Sequence, residues 1–237
     1  PHAGREEPSY PQSGTTAESI QVIAVDDNPA NLKLLCALLE DLNVSVTACE
    51  SGMKALSHIE QTHFDMILMD IQMPVMDGVE TARRIRSMEA ADKHTPIIAV
   101  TAHALASEKH NLLNSGMDDY VTKPINESQL IHIVQKWTGV NLHNATMEGN
   151  PHSISAGSAD AVDMMLGLKL ANNKAQLAEE MLEMLFASLH NDRKVIADCA
   201  AKQDYVNLQE VVHKLHGATR YTGVPFLQDA SHTLEEA

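Results

Sequence analysis

The feature that most constrains this fold is a fivefold alternation between short apolar runs and helix-like segments across residues 20–138. Runs such as QVIAV (21–25) and PIIAV (96–100) are short and rich in β-branched residues, which is typical of strands buried in a parallel sheet. The strand–helix units repeat about every 20–25 residues, a length that suits a βαβ crossover. The sequence therefore predicts a mostly parallel sheet with helices on both faces.

The strand and helix limits follow from this pattern. The predicted strands cover 21–25, 44–48, 64–69, 96–100 and 119–122, and the predicted helices cover 29–41, 52–61, 78–90, 105–115 and 126–137. Asn28 is the expected cap of the first helix, and Pro29 suits its first position.

Polar residues follow four of these strands. Asp26 and Asp27 come after the first strand, Asp70 after the third, Thr101 after the fourth and Lys123 after the fifth. In an open α/β sheet the functional cleft lies outside the carboxyl ends of the strands, so these side chains are expected to meet there. A single Asp after a strand is usually a turn or cap residue, but the joint set predicts a functional pocket.

The chemistry of the set points to phosphoryl transfer. Mg²⁺ prefers oxygen ligands, which Asp26, Asp27 and Asp70 would provide. Asp70 can then act as a carboxylate nucleophile toward phosphorus. Lys123 supplies a positive charge and Thr101 a hydrogen bond for the phosphoryl oxygens. A cis peptide bond between Lys123 and Pro124 is compatible with this sequence.

The second half of the chain has a different organisation. Residues 1–19 and 139–159 are rich in Gly, Ser, Asn and Pro and are predicted linkers, and no strand is evident in 160–237. Helical spacing predicts helices over 162–170 and 174–201, one after Asp204 and one from Pro225. We expect an all-α bundle, truncated at its C-terminus and therefore exposing apolar surface.

One histidine motif stands out in this bundle. In VVHKLHGATRYTG, His213 and His216 lie three residues apart and so share a helix face, with Gly217 one turn after His213. Imidazole can accept a phosphoryl group, and a glycine one turn away leaves room for another protein to approach. A metal site and simple solvated histidines are equal alternatives on spacing alone, since the chain has 13 histidines.

Composition excludes several functions. The formal net charge is −15, and residues 159–237 hold 7 Lys and Arg against 12 Asp and Glu, which argues against nucleic-acid binding. Cys36, Cys49 and Cys199 lack paired spacing and are predicted to be buried thiols of a reducing compartment. No apolar run is long enough to span a membrane, so this segment is expected to make no membrane contact. The opening PHAG suggests a piece of a longer protein.

Residues 20–138 resemble a response-regulator receiver domain through VDDNPAN, LMDIQMPVMDG, VTAHA and DDYVTKP. The resemblance implies a flavodoxin-like (βα)₅ fold with strand order 2-1-3-4-5 and Mg²⁺ as cofactor. It makes Asp70 the phosphoacceptor. It also implies the remaining roles: metal ligands Asp26, Asp27 and the backbone carbonyl of Gln72; phosphate-sensing Thr101 and Lys123; and Tyr120 as the aromatic that repacks with Thr101.

Residues 160–237 resemble a histidine phosphotransfer (HPt) domain, whose signature is His-x-Leu-Lys-Gly followed by a glycine about ten residues after the histidine. His213, Leu215, Gly217 and Gly223 match, so the resemblance makes His213 the phosphoacceptor. His216 departs from the pattern, because the family usually has Lys there. The cation beside the phosphoryl group must then come from Lys214, Arg220 or a protonated His216.

Together the two segments resemble the C-terminal receiver–HPt part of tripartite hybrid sensor histidine kinases of the GacS/BarA type. The resemblance implies a phosphorelay from a kinase phosphohistidine to Asp70, then to His213, then to a separate response regulator. The expected partners are an upstream histidine kinase core of the same parent and a downstream response regulator. The expected location is the cytoplasmic part of an inner-membrane sensor kinase. This segment itself has no ATP-binding core, so its status as an enzyme stays open.

Two alternatives belong to other classes. A non-phosphorylated docking or inhibitory module would keep the receiver fold without binding Mg²⁺. An aspartyl-phosphate hydrolase would also use a strand-end Asp, but it normally carries a second acid two residues later, where this chain has Gln72.

Overall fold

The sheet of the protein has five parallel strands in the order β2-β1-β3-β4-β5. The structure is a computed structural model that describes residues 20–90, 92–102, 111–140, 142 and 161–235. The strands are β1 (Gln21–Val25), β2 (Ser45–Cys49), β3 (Met66–Asp70), β4 (Ile97–Thr101) and β5 (Asp119–Thr122). The predicted flavodoxin-like strand order is therefore confirmed.

Helices connect the strands, and four of them begin at side-chain caps. They are α1 (Pro29–Asp41), α2 (Gly52–Ile59), α3 (Gly78–Met88), α4, of which residues 111–114 are described, and α5 (Glu127–Thr138). The Asn28 side chain accepts a hydrogen bond from the Ala30 amide at 3.0 Å, as expected for the cap of α1. Asn126 and Gln129 form a reciprocal capping box at the start of α5. No helix among the described residues has the length and apolarity needed to cross a membrane.

The strands face two apolar cores, one on each side of the sheet. Val22 and Ala24 belong to the core that includes Leu38 of α1, whereas Ile23 and Val25 belong to the core shared with α2 and α3. Successive side chains of a strand point to opposite faces, so a continuous apolar run fills both cores.

The second half of the described chain is helical. Its helices are α6 (Met164–Leu170), α7 (Ala175–Lys202), α8 (Tyr205–Thr219) and α9 (Pro225–Glu235). Gly223 turns the chain between α8 and α9 with φ of +67°, and a Cβ there would lie 2.4 Å from the Asp163 carbonyl oxygen. This close approach explains why the position holds glycine. Large apolar side chains of this unit are exposed, among them Phe186, Val206 and Phe226.

The helical unit, residues 161–235, packs against α1 of the sheet unit, which comprises the strands and α1 to α5. Leu177, Ala178 and Met181 of α7 join the apolar core that contains the α1 leucines, and so does Tyr221. The hydroxyl oxygen of Tyr221 accepts a hydrogen bond from the Ile125 amide at 3.3 Å. Ion pairs at the edge join Lys33 to Glu180 and Lys174 to Asp41, each at 2.5 Å. These contacts bring α8 over the carboxyl edge of the sheet.

Two of the predicted site residues lie inside strands instead of after them. Asp70 and Thr101 were expected just after their strands, but they are the last residues of β3 and β4. Their backbones continue the ladder, because Asp70 pairs with Val100 and Thr101 pairs with Thr122. An apolar run marks where side chains are buried, and backbone pairing extends one residue further.

The cysteines also differ in part from the prediction. All three are free thiols, and Cys49 and Cys199 are buried. Cys36 is only half-buried, because it faces the groove between α1 and α7 beside Lys33 and Glu40.

Some predicted segments fall largely outside the described residues. These are the first linker, the second linker except 139, 140 and 142, and most of the predicted helix 105–115.

Candidate functional site

Three carboxylates meet at the carboxyl edge of the sheet. Asp26 and Asp27 follow β1, and Asp70 ends the neighbouring β3. One carboxylate oxygen from each lies within 4.8 Å of the other two. Asp26 and Asp70 are almost fully buried, with 3% and 4% of their surface exposed. The sheet order thus brings together three acids that are far apart in sequence.

Lys123 is the buried cation beside Asp26 and Asp70. Its Nζ lies 2.8 Å from Asp26 Oδ2 and 2.9 Å from Asp70 Oδ2, and its side chain is 8% exposed. The Lys123–Pro124 peptide bond is cis. Burial opposes the charge on Lys123, but the two carboxylates more than offset this, so the pKa of Lys123 lies above its usual value.

The carboxyl group of Asp70 is a weaker acid than an exposed aspartate. Burial raises the pKa of Asp70 to about 7, and the Asp26 carboxylate adds to the rise against the opposing charge of Lys123. A second cation near the cluster would favour the ionised form, which is the form that can act as a nucleophile. The acidic cluster is therefore chemically suited to a divalent cation.

Two asparagines support Asp26. Asn31 Nδ2 donates to both oxygens of Asp26 at 3.1 Å, and the Asn28 amide donates to Oδ1 at 2.8 Å. Asn31 Oδ1 is buried and has no hydrogen-bond partner within the described part of the chain. This leaves one more oxygen acceptor beside the carboxylates, available to a metal-bound water.

Two of the other predicted receiver residues, Thr101 and Gln72, lie at the same edge, and Tyr120 lies inside β5. Thr101 is half-buried at the end of β4, and Gln72 is exposed on the turn after β3 and lines the cleft. Tyr120 of β5 is half-buried and packs against the core on the α2 and α3 side. The roles of Gln72 as ligand and of Thr101 and Tyr120 as switch remain predictions.

His213 lies on α8, above this edge. Its Nδ1 is hydrogen-bonded to Glu235 Oε1 of α9. The hydrogen bond from His213 lowers the pKa of Glu235, so Glu235 is ionised and accepts, and Nδ1 carries the proton. In the neutral tautomer of His213 that donates to Glu235, the lone pair is on Nε2.

His216 is buried and neutral. Burial lowers its pKa, and the adjacent Arg220 charge adds to this effect. Arg220 Nε donates to His216 Nε2 at 3.1 Å. Of the three candidate cations near His213, a protonated His216 is therefore disfavoured, and Lys214 and Arg220 are the permanent charges.

The two candidate phosphoacceptors line one cleft. Its walls include Asp27, Asp70 and Lys123 from the sheet unit and His213 from α8. Lys214 Nζ pairs with Asp27 Oδ2 at 3.2 Å.

Gly217 lies where α8 approaches the sheet unit. A Cβ at Gly217 would lie 3.4 Å from Asn28 Nδ2, and Asn28 Nδ2 donates to the Lys214 carbonyl at 3.0 Å. The 3.4 Å distance is an ordinary van der Waals contact, so the room that Gly217 would leave for an approaching protein remains a prediction.

Sequence reasoning missed two residues of the site. Asn31 is the last residue of the VDDNPAN motif. Its position three residues after Asn28 could have indicated that it faces the same side as that cap. Glu235 lies 22 residues from His213 and gave no signal, because only the packing of α9 on α8 joins them.

Two protein-family models match the chain. The response regulator receiver domain matches residues 22–135, and the Hpt domain matches residues 180–237. The first match covers the sheet unit, and the second begins within α7.

Relatives share most of this chain. Sensor protein GacS of Pseudomonas syringae pv. syringae is 49% identical over 218 residues, which is 91% of this chain and 24% of that protein. Signal transduction histidine-protein kinase BarA of Escherichia coli K12 is 39% identical over 221 residues, 92% of this chain and 24% of that protein. The chain thus spans about a quarter of the length of these curated relatives.

A solved structure is also similar to the sheet unit. The receiver domain of sensor histidine kinase PA1611 from Pseudomonas aeruginosa PAO1 was crystallised with a magnesium ion in its active site cleft. It is 38% identical, covers 52% of this chain and 99% of its own, and aligns with a TM-score of 0.48.

Proposed function

The chain belongs to the receiver and Hpt families of two-component phosphorelay proteins, and from that premise we propose that Asp70 receives a phosphoryl group and passes it to His213. The observation that carries the proposal is that Asp70 and His213 line one cleft. The carboxylate of Asp70 and the imidazole of His213 can each form a covalent bond to phosphorus.

Asp26, Asp27 and Asp70 would hold Mg²⁺, with the carbonyl of Gln72 as the further ligand that the family pattern implies. The all-oxygen donor set fits Mg²⁺ better than a softer metal. When bound, the ion supplies positive charge beside the phosphoryl oxygens.

The first step is attack on a phosphohistidine. An oxygen of ionised Asp70 forms a bond to phosphorus, the bond from phosphorus to the donor imidazole nitrogen breaks, and that nitrogen keeps the electron pair. Lys123, 2.9 Å from Asp70 Oδ2, is positioned to offset the charge of the phosphoryl oxygens. Thr101 would donate a hydrogen bond to them from the end of β4.

In the second step the Asp70 carboxylate is the leaving group and His213 is the nucleophile. The lone pair on His213 Nε2 attacks phosphorus, and the bond to Asp70 breaks to restore the carboxylate. Attack leaves positive charge on the imidazole, and ionised Glu235 at Nδ1 stabilises it. Acyl phosphates and phosphoimidazoles both transfer readily, so the relay can run in either direction.

Phosphorylation of Asp70 would also bias Thr101 and Tyr120, which lie on neighbouring strands. Thr101 would move toward the phosphoryl group and Tyr120 would pack further inward, which changes the β4–β5 face. An upstream histidine kinase core of the same parent would be the donor, and a separate response regulator the final acceptor. The segment would then be part of the cytoplasmic portion of an inner-membrane sensor kinase.

The docking-module alternative is not favoured. A receiver fold used only for docking has no need for three acids and a lysine in one buried cluster, and such a cluster costs stability. A hydrolase is also disfavoured, because Gln72 cannot protonate a leaving group.

Phosphopeptide mapping tests the proposal. The protein is incubated with Mg²⁺ and a ³²P-labelled histidine kinase core, as wild type, Asp70→Asn and His213→Gln. We expect label on both Asp70 and His213 in the wild type, on neither in Asp70→Asn, and on Asp70 alone in His213→Gln. Label on His213 in Asp70→Asn would contradict the order of transfer.

A further inference from the structure

A second group of metal-ligand side chains lies outside the acidic cleft, on α8 and α9. His216, His232 and Glu235 each offer a ligand atom within 4.8 Å of the other two. The rings of His216 and His232 stack with centroids 5.2 Å apart and an interplanar angle of 24°. We propose that these three side chains bind a zinc ion.

Hydrogen bonds orient His216 for this purpose. Arg220 Nε can only donate, so His216 Nε2 is the acceptor and His216 Nδ1 carries the proton. Nδ1 then donates to Ser231 Oγ at 3.1 Å, and that hydroxyl donates to the Gln228 carbonyl at 2.9 Å. Metal-binding histidines are typically held this way, by a hydrogen bond at the other ring nitrogen.

The charges of the cluster suit a zinc ion. His216 Nε2 points toward Glu235 and lies 3.8 Å from its Oε2. His232 and Glu235 lie three residues apart on α9 and so share a face. Two imidazole nitrogens and one carboxylate form a ligand set that zinc uses when a fourth position stays open to water.

Ligand chemistry separates this site from the acidic cleft. Nitrogen donors favour zinc, whereas the carboxylates of Asp26, Asp27 and Asp70 favour magnesium. Zinc at His216 Nε2 replaces the hydrogen bond from Arg220, whose side chain is half-buried and must rotate away.

Zinc binding would affect the phosphoacceptor through Glu235. This consequence rests on the proposed function of His213. Glu235 holds the Nδ1 proton of His213 with one oxygen, and zinc draws the same carboxylate toward His216 and His232. Zinc would thus weaken the stabilisation of the charged imidazole and slow transfer from Asp70 to His213.

Calorimetric titration with zinc tests the site. The 237-residue chain is titrated in excess Mg²⁺, added to compete with zinc for the acidic cleft, as wild type, His232→Gln, Glu235→Gln and His190→Gln. His190 is an exposed histidine of α7 and serves as the matched control. We expect one zinc ion per wild-type chain, at least tenfold weaker binding for His232→Gln and Glu235→Gln, and unchanged binding for His190→Gln.

Equal zinc binding by the wild type and both ligand variants would overturn the proposal, because other histidines would then hold the ion. Helical circular dichroism of each variant shows whether it folds. Should His232→Gln be unfolded, Glu235→Gln decides the result. The visible spectrum of the cobalt form gives a second readout, since four-coordinate cobalt absorbs intensely and six-coordinate cobalt does not.

The coupling to His213 has its own measurement. The rate of His213 labelling is measured with and without zinc for each variant, and the ratio of the two rates is compared. We expect zinc to slow the wild type and His190→Gln but to leave the ratio for His232→Gln near one. A wild-type ratio near one at saturating zinc would refute the coupling. Absence of His213 labelling without zinc would instead refute the proposed phosphotransfer and leave the binding result intact.

Discussion

The two candidate phosphoacceptors sit in contrasting surroundings. Asp70 is 4% exposed, pairs with Lys123 after β5 and lies within 4.8 Å of an oxygen of Asp26 after β1. His213 is half-buried on α8, and its hydrogen-bonding partner comes from the next helix, α9.

The two units differ in how much charge stabilisation they can offer to a phosphoryl group. The sheet unit gathers three acids and a buried lysine, and it can stabilise the charge of a phosphoryl group in transfer. The helical unit supplies an imidazole, His213, whose Nδ1 is held by Glu235. We infer that the sheet unit provides most of the catalysis for both steps, and that the helical unit presents a nucleophile to it.

The largest expected effect comes from removing the buried lysine. For Lys123→Gln, we expect the rate of Asp70 labelling by acetyl phosphate to fall roughly 100-fold, because a fixed cation no longer stabilises the charge of the transition state. The free energy of unfolding should also fall by about 3 kcal/mol, since two buried carboxylates lose their partner. A quenched time course of labelling measures the rate, and urea unfolding measures the free energy of unfolding.

Lys136→Gln is the matched control. Lys136 is exposed and pairs with Asp119 at 2.6 Å, and its loss should cost less than about 1 kcal/mol with no effect on labelling. Equal behaviour of the two variants would show that the buried cluster has no special role.

The next effect is the stability of the metal-free protein as a function of pH. Because the pKa of Asp70 is raised to about 7, its contribution to stability is present below the unfolded pKa and is lost as the pH rises through 7. Asp70→Asn cannot ionise, so at pH 8 it should be more stable than the wild type by roughly 2–4 kcal/mol. Near pH 4 the two should be similar.

Urea unfolding in EDTA measures this difference. Asp198→Asn, an exposed carboxyl on α7, should change stability by less than about 0.5 kcal/mol at either pH. If Asp70→Asn were no more stable than the wild type at pH 8, burial would not destabilise the ionised form of Asp70.

The smallest effect is expected in the helical unit. For Glu235→Gln, transfer from Asp70 to His213 should slow about tenfold, because a neutral hydrogen bond replaces a charge-assisted one. Labelling of Asp70 should not change. The lowered pKa of Glu235 means that its stabilising contribution is present above the unfolded pKa and is lost as the pH falls through the folded value.

Single-turnover transfer from labelled Asp70, followed above pH 6, measures the Glu235 effect. Glu210→Gln, an exposed residue of the same helix as His213, is the control and should transfer at the wild-type rate. A slowing of Asp70 labelling in Glu235→Gln would mean that the two regions are not separable in the way proposed.

Much of the fold could be predicted because the signals were local. Apolar runs and helical spacing gave α1 and β1 with their observed limits, and the other described strands within two residues. The shifted ends at Asp70 and Thr101 show the limit of this reasoning, since side-chain polarity does not end a backbone ladder.

The position of Glu235 could not be predicted. It contacts His213 only because α9 packs on α8 at a particular rotation, and no local pattern specifies that rotation. The neutral state of His216 is a similar case, because it depends on burial and on the neighbouring Arg220.

The sequence by itself determined the parallel sheet and the meeting of Asp26, Asp27, Asp70 and Lys123, because every parallel strand delivers its last residues to the same edge. Only the tertiary structure decided that α8 lies over that edge, that Gly217 meets Asn28, and that Glu235 holds the proton of His213. Strand direction is fixed by local patterns and topology. The docking of helices is fixed by side-chain packing between segments that are distant in the chain.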